Sequence, residues 1–269
     1  MAKLRSALIV GATGLVGSEL VRLLCESNDY VSVTALTRNE ISFTHPKLTV
    51  YYVNFDELSE RDVQHVDDVF CCLGTTRKKA GSRELFEKVD VEYPLCIASL
   101  AKKEGANHFI VISAMGASES SFAYYNRVKG KLEQQLETFD FPRLSIVRPS
   151  LLTGERKEFR LAEKSGELIL KVVNPLLVGP FKRYRSIAAS QVAEAMLYIA
   201  LFGKVQNVAI YRSHELAQMQ LPEPTEEVQQ GAFNWRKLKD EDVMPLDEEV
   251  VFDKNKLKSL EVDNKRKID

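Results

Sequence analysis

Tyr125 and Lys129 stand four residues apart in the stretch Tyr124–Gly130, YYNRVKG. On a helix, residues i and i+4 share one face, so the phenol and the ammonium can address one ligand. A free tyrosine titrates near 10 and is a poor acid or base at neutral pH; a neighbouring ammonium favours the phenolate and lowers that value. Such a pair suits proton transfer coupled to hydride movement. Tyr124 lies about 100° further round a helix and cannot use the same face. The spacing alone is weak, since roughly one Tyr-x-x-x-Lys match is expected by chance in a chain of this kind.

A second pattern lies upstream. LIVGATGLVGSEL sets Gly11, Gly14 and Gly17 between an apolar run and an amphipathic one. Glycines there allow a tight turn, close approach of the backbone to a pyrophosphate, and helix packing against the strand. The helix N-terminus then offers free N–H groups to phosphate. Gly11, Thr13, Gly14, Leu15, Val16 and Gly17 are the candidate phosphate-loop residues. About 20 residues on, where an acidic side chain would bond a ribose 2′-hydroxyl, the chain carries Thr37-Arg38. Arginine pairs with a 2′-phosphate, so NADP is the expected cofactor, with NAD possible; the alternative is an ordinary surface arginine at a strand end. Asp56, in VNFDEL, either accepts a hydrogen bond from an adenine amine or caps a helix starting near Leu58.

The elements that must position these residues alternate regularly. SALIVGA, YVSVTALTR, KLTVYYVNF, DDVFCCLG, HFIVISAMG and RLSIVRPS read as strands. Helical patterns fall in LVGSELVRLLCES, the long SRELFEKVDVEYPLCIASLAKKEG and AYYNRVKGKLEQQLET. Continuous apolar strands alternating with helices predict an α/β fold, a doubly wound parallel sheet (Rossmann fold) with helices on both faces and ligands at the carboxyl ends of the strands. Beyond Pro149 the rhythm loosens: EFRLAEKSGELILKVVN and AASQVAEAMLYIALFG read as helices and QNVAIYRS as a last strand, so residues 1–219 form one cofactor-binding domain including pocket segments. Residues 220–269 are dense in charge and read as a charged C-terminal extension, either solvated or docking through Phe233 and Trp235 onto the domain or a protein partner.

The bulk numbers narrow the function classes. A net charge of −1 over 269 residues supplies no strong field for nucleic acid. No apolar run reaches the roughly 18 residues of a membrane span. The start, MAKLRSALIVGATG, is a poor signal peptide because its apolar run is short and leads into the glycine loop. Cys25, Cys71, Cys72 and Cys96 lack metal-ligand spacing, and His45, His65, His108 and His214 are scattered, so no metal is expected. Free cysteines suit a reducing compartment, and a cytoplasmic location is the expectation.

GATGLVG, LTR, CCLGTTRKKAG, VISAMGA, YNRVKG and VRPSLL together resemble the short-chain dehydrogenase/reductase superfamily. Within it, CCLGTTRKKAG resembles the atypical, NAD(P)H-binding branch that includes the Tat-interacting-protein oxidoreductases. The resemblance covers about residues 4–218. It implies Ser113, Tyr125 and Lys129 as the catalytic set, with Tyr125 and Lys129 also on the cofactor. It implies Leu73 and Gly74 beside the adenine ribose, Pro149 and Leu152 beside the nicotinamide, Arg160 at a cofactor phosphate, and Arg183 and Arg185 closing the pocket. Arg77, Lys78 and Lys79 follow the fourth strand, at the rim of the cleft or on a solvated loop. One departure stands out: the superfamily's helical asparagine has Asp90 as its nearest candidate here.

The sequence therefore predicts an NADP-preferring oxidoreductase moving a hydride between the nicotinamide and a small carbonyl/alcohol substrate. The alternatives are an NADPH-binding regulatory or scaffold protein without turnover and, more weakly, a sugar-nucleotide epimerase.

Overall fold

A computed structural model describes residues 4–63, 65–154 and 185–222. The chain divides into two units, Met1–Leu221 and Pro222–Asp269. Arg160, Arg183, the helix expected in EFRLAEKSGELILKVVN, Phe233 and Trp235 lie outside the described residues.

The strands are β1 (Arg5–Val10), β2 (Tyr30–Thr37), β3 (Leu48–Tyr52), β4 (Asp68–Cys71), β5 (His108–Ile112), β6 (Arg143–Arg148) and, later, β9 (Val208–Arg212). They form one parallel sheet in the order β3-β2-β1-β4-β5-β6-β9. Order reverses on either side of β1, which opens a crevice at the carboxyl ends of β1 and β4. A separate two-stranded ladder pairs β7 (Leu152–Thr153) with β8 (Ile187–Ala188).

Alternate strand residues feed two cores, as expected when both faces of a sheet are covered. Ala7 and Ile9 pack with α1 (Leu15–Glu26) and α6 (Ala189–Phe202) through Leu20, Leu24, Val192 and Met196. Leu8 and Val10 face the other way, toward α4 (Tyr93–Lys103) and α5 (Tyr124–Glu137) through Ile97, Val128 and Leu132. Here too lie two short helices, α2 (Arg77–Ala80) and α3 (Arg83–Glu87).

The long helix expected over 82–105 is interrupted. Between α3 and α4 the chain makes a π-helical turn, Lys88–Glu92. A π turn inserts an extra residue and rotates the side chains around it; here it carries Asp90 into the interior, fully buried.

Candidate functional site: a cofactor crevice beside a buried charge cluster

Most of the predicted site residues gather at one edge of the sheet. The glycine loop joins β1 to α1, Arg38 follows β2, Leu73 and Gly74 follow β4, Ser113 follows β5, and Pro149 follows β6. Gly11 has φ +80°, and a Cβ there would sit 2.5 Å from the Cys72 carbonyl, so only glycine lets the first loop cross the end of β4. Helix α1 starts at Gly14 with no side-chain cap and no acid in its first turn. Its first amides are therefore without side-chain partners at the positive end of the helix. Thr13 and Gly14 are exposed, whereas the Val16 side chain is buried in the core and leaves only its amide for a ligand. Leu152 lies on β7; two residues on, Gly154 approaches the Leu15 side chain, which brings this segment against the loop. These groups fit a dinucleotide pyrophosphate.

At the β2 end, the Thr37 hydroxyl donates to the Asn39 carbonyl at 2.9 Å, a tight turn with exposed Arg38 at its tip. Asp56 does not cap a helix: the next helical turn, Glu60–Asp62, is capped by Ser59. Its carboxylate instead accepts from the Tyr93 hydroxyl at 2.9 Å and pairs with Lys88 at 2.7 Å. Those two contacts, led by Lys88, hold the Asp56 carboxyl below the usual range, and the Arg38 charge adds to them.

Helix α5 carries the proton-transfer candidates. Gly130 lets it press against the loop after β5, since a Cβ there would lie 2.3 Å from the Ser118 backbone. Tyr125, Lys129 and Glu133 then fall on one stripe, each four residues from the last. Lys129 is buried, and its Nζ lies 2.8 Å from Asp90 Oδ1. The other Asp90 oxygen accepts from the Thr75 amide at 2.9 Å. Burial lowers the pKa of Lys129, but Asp90, Tyr125 and Cys71 outweigh it and raise the net value. Tyr125 is 41% exposed, and its partial burial raises the phenol; Lys129 opposes that rise and Asp90 adds to it, so the net direction is upward from free tyrosine. The lowering expected from the ammonium alone is thus overcome by burial, with Asp90 offsetting the lysine charge.

Tyr124 turns elsewhere. Its hydroxyl donates to Glu87 at 3.0 Å, and the guanidiniums of Arg77, Arg83 and Arg127 lie 5.3–5.8 Å from its ring. Arg77, Lys78 and Lys79 form α2, capped by Thr76, rather than an open loop.

Ser113 is buried, and its hydroxyl donates to Oε1 of Glu133, which is buried too. The same carboxylate is gripped by Arg148, whose Nε donates to Oε1 at 2.9 Å and whose Nη2 donates to Oε2. With its proton given to Glu133, Ser113 presents its oxygen as an acceptor. Glu133 and Arg148 were not anticipated. The usable signal was the continuation of Tyr-x-x-x-Lys to a third polar residue, Glu133, on a face otherwise buried through Val128, Leu132 and Leu136. All four cysteines are free, and no group of acids, histidines and cysteines among the described residues can hold a metal. Among the same residues no helix is long and apolar enough to cross a membrane.

The fold and this crevice define a Rossmann-type nicotinamide-nucleotide-binding protein. The profile of the NAD(P)H-binding family matches residues 11–201, and the chain belongs to that family. It is 33% identical over 199 residues to the protein FMP52, mitochondrial, of Debaryomyces hansenii, covering 72% of this chain and 87% of that one. It is 38% identical over 164 residues to the protein HTATIP2 of Rattus norvegicus, covering 59% of this chain and 67% of that one. Among solved structures, MoeE5 in complex with UDP-glucose and NAD superposes with a TM-score of 0.58 at 15% identity, covering 78% of this chain and 79% of that one. At that identity the likeness shows the fold.

The cytoplasmic location expected from the cysteines is corrected by these relatives: FMP52 is named as mitochondrial in several yeasts. Reduced thiols mark a reducing compartment and do not single out the cytosol.

Proposed function

We propose that the protein is an NADP(H)-dependent reductase of small carbonyl compounds in which Tyr125 donates the proton. The observation that carries this reading is the stripe on α5, with Tyr125 one turn from buried Lys129 and Ser113 ending the adjacent strand β5. A reduced nicotinamide held in the crevice would supply the hydride to the carbonyl carbon. Tyr125 gives its phenolic proton to the oxygen, yielding the alcohol. With its pKa held above that of a free phenol, Tyr125 is protonated at neutral pH, the state a proton donor needs. Lys129, one turn from Tyr125 on the same face, would hold the cofactor's ribose hydroxyls beside the phenol. The preference for NADP rests on Arg38 at the tip of the turn after β2, where an acid would select NAD.

The test is NADPH consumption across a panel of carbonyl compounds, followed by Tyr125→Phe on the best substrate. Loss of the hydroxyl should cut turnover by roughly 10²–10⁴, with nucleotide affinity retained. Full activity in Tyr125→Phe would remove the tyrosine from the chemistry. The second reading, a nucleotide-binding regulator, is favoured by the Asp90–Lys129 pair, which spends the lysine charge inside the protein. It moves ahead if no compound is turned over and Lys129→Ala still abolishes NADPH binding.

A further inference from the structure

A cavity of about 710 Å³ opens at the carboxyl ends of β5, β6 and β9, lined by Met115, Gly116, Asn126, Arg148, Arg212, Ser213 and His214. Arg148 in its wall donates to Glu133, which accepts from Ser113, so the cavity is joined to one of the proposed catalytic residues through two hydrogen bonds. It is remote from the phosphate end of the crevice. Arg38 follows β2 and Arg148 ends β6, four ladder steps away, which is about 19 Å at the usual strand spacing.

Among the described residues the lining holds two guanidiniums and no carboxylate. Arg148 spends Nε and Nη2 on Glu133, and its Nη1 has no hydrogen-bond partner among the described residues. Arg212 is exposed, and its side chain forms no ion pair with a carboxylate among the described residues. Glu215, three residues on, is turned to the Arg212 backbone amide, which donates to it at 2.7 Å. The Asn126 side-chain amide has no hydrogen-bond partner among the described residues and can donate as well as accept. A cavity joined to Ser113 through Arg148 and Glu133, and walled by two guanidiniums of which one pairs with no carboxylate among the described residues, suits an oxyanion.

We infer that this cavity binds the anionic group of the substrate, so that the carbonyl compound reduced here bears a carboxylate or a phosphate, with Arg212 and the free edge of Arg148 as its donors. This deepens the reductase reading and rests on it for the word "substrate". The binding claim itself stands on the cavity. An anion on Arg148 would also be joined to Ser113 through Glu133, by hydrogen bonds already in place. The acid group would thereby be tied to the residue beside the reacting carbonyl.

The experiment uses the full chain saturated with NADP⁺ and two matched pairs of probes, 2-oxobutyrate against its methyl ester and dihydroxyacetone phosphate against dihydroxyacetone. Binding is read by calorimetry, which needs no turnover. At least one anionic member should bind tenfold or more tighter than its neutral partner, and which pair does so distinguishes carboxylate from phosphate. Arg212→Gln should reduce that preference by about ten- to a hundredfold, the worth of a charge-assisted contact, and leave NADPH affinity unchanged. Arg148→Lys tests the second donor. Because it disturbs Glu133 and threatens folding, Arg212→Gln is the deciding variant. Equal binding within both pairs overturns the proposal, as does a preference that survives Arg212→Gln. Failure of the reductase reading looks different: the binding preference and its loss in Arg212→Gln persist, and neither the acids nor the neutral compounds consume NADPH.

Discussion

Lys129 Nζ lies 2.8 Å from Asp90 Oδ1, and both side chains are buried. The carboxylate brings a negative charge beside the lysine and the phenol. That charge opposes the pull of Lys129 on Tyr125. Asp90→Asn keeps an acceptor for the Thr75 amide and removes the charge. The phenol of Tyr125 should then titrate at lower pH. Since a proton donor fails as pH rises through its pKa, the alkaline limb of carbonyl reduction should move to lower pH in the variant. An unshifted limb in a pH profile of kcat/KM would separate Asp90 from Tyr125. Breaking a buried ion pair also costs stability, on the order of 3–5 kcal/mol, so the melting temperature should fall as well.

A second prediction concerns Ser113. Its hydroxyl proton goes to Glu133, and Arg148 fixes that carboxylate from the other side. Glu133→Gln places an amide where the guanidinium expects a carboxylate, and Ser113 loses its orientation. Turnover should drop while the Kd for NADPH holds. Because both changes disable the same oxygen, the double variant Ser113→Ala/Glu133→Gln should be no slower than Ser113→Ala alone. Additive losses in kcat would show that Glu133 acts independently of the serine.

Arg38 tests the cofactor choice. It sits exposed at the tip of the turn after β2, and its charge is felt at Asp56 and Tyr93. A guanidinium on a 2′-phosphate is a charge-assisted contact of about 1.5–3 kcal/mol. Arg38→Ala should therefore weaken NADPH by roughly one to two decades and change NADH little. Equal losses for both nucleotides by calorimetry would leave the NADP preference unsupported.

These residues also show what the sequence made legible. The succession of strands and helices, and the placement of the glycine loop, Arg38 and Ser113 at strand ends, follow from apolar runs and glycine spacing, which are local; the order of the strands in the sheet does not. That Tyr125 and Lys129 share a helix face follows from their spacing; their role as a pair came from the resemblance, because the spacing alone is weak. The partner of Lys129 was not legible. EKVDVEY reads as an ordinary helix, and only the π turn at Lys88–Glu92 swings Asp90 inward. Glu133 shared the legible stripe, yet nothing local explains a carboxylate on a buried face. Its reason, Arg148, arrives from β6 through tertiary packing. Likewise the cavity beside Asn126 draws its walls from β5, β6 and β9, strands that only the folded sheet makes neighbours.

The last prediction lies at the opposite edge of the sheet. His108 starts β5, fully buried, with Nε2 2.8 Å from Ser145 Oγ and Nδ1 3.8 Å from Asp68 Oδ1. Burial, then the charges of Arg143 and Arg5, push its pKa down to about 3. Those arginines are fixed there because they bond carbonyls at the end of α6, Arg5 to Ala200 at 2.7 Å and Arg143 to Ile199 at 3.1 Å. In the unfolded chain a histidine titrates near 6.5, so between about pH 3 and 6.5 the unfolded state binds a proton that the fold refuses. Stability should consequently fall as pH drops below about 6.5, by about 2 kcal/mol at pH 5 from this group. Asp68, whose carboxyl burial raises despite Tyr30 and Arg5, pulls the other way, because the fold holds its proton more firmly than the unfolded chain does. The difference between wild type and His108→Gln cancels Asp68 to first order and isolates the histidine. Urea melts from pH 5 to 8 should show the wild type losing stability toward acid faster than the variant, whatever the variant's stability at pH 7. Parallel curves would mean that His108 accepts its proton in the fold, with Asp68 at 3.8 Å as the counter-charge.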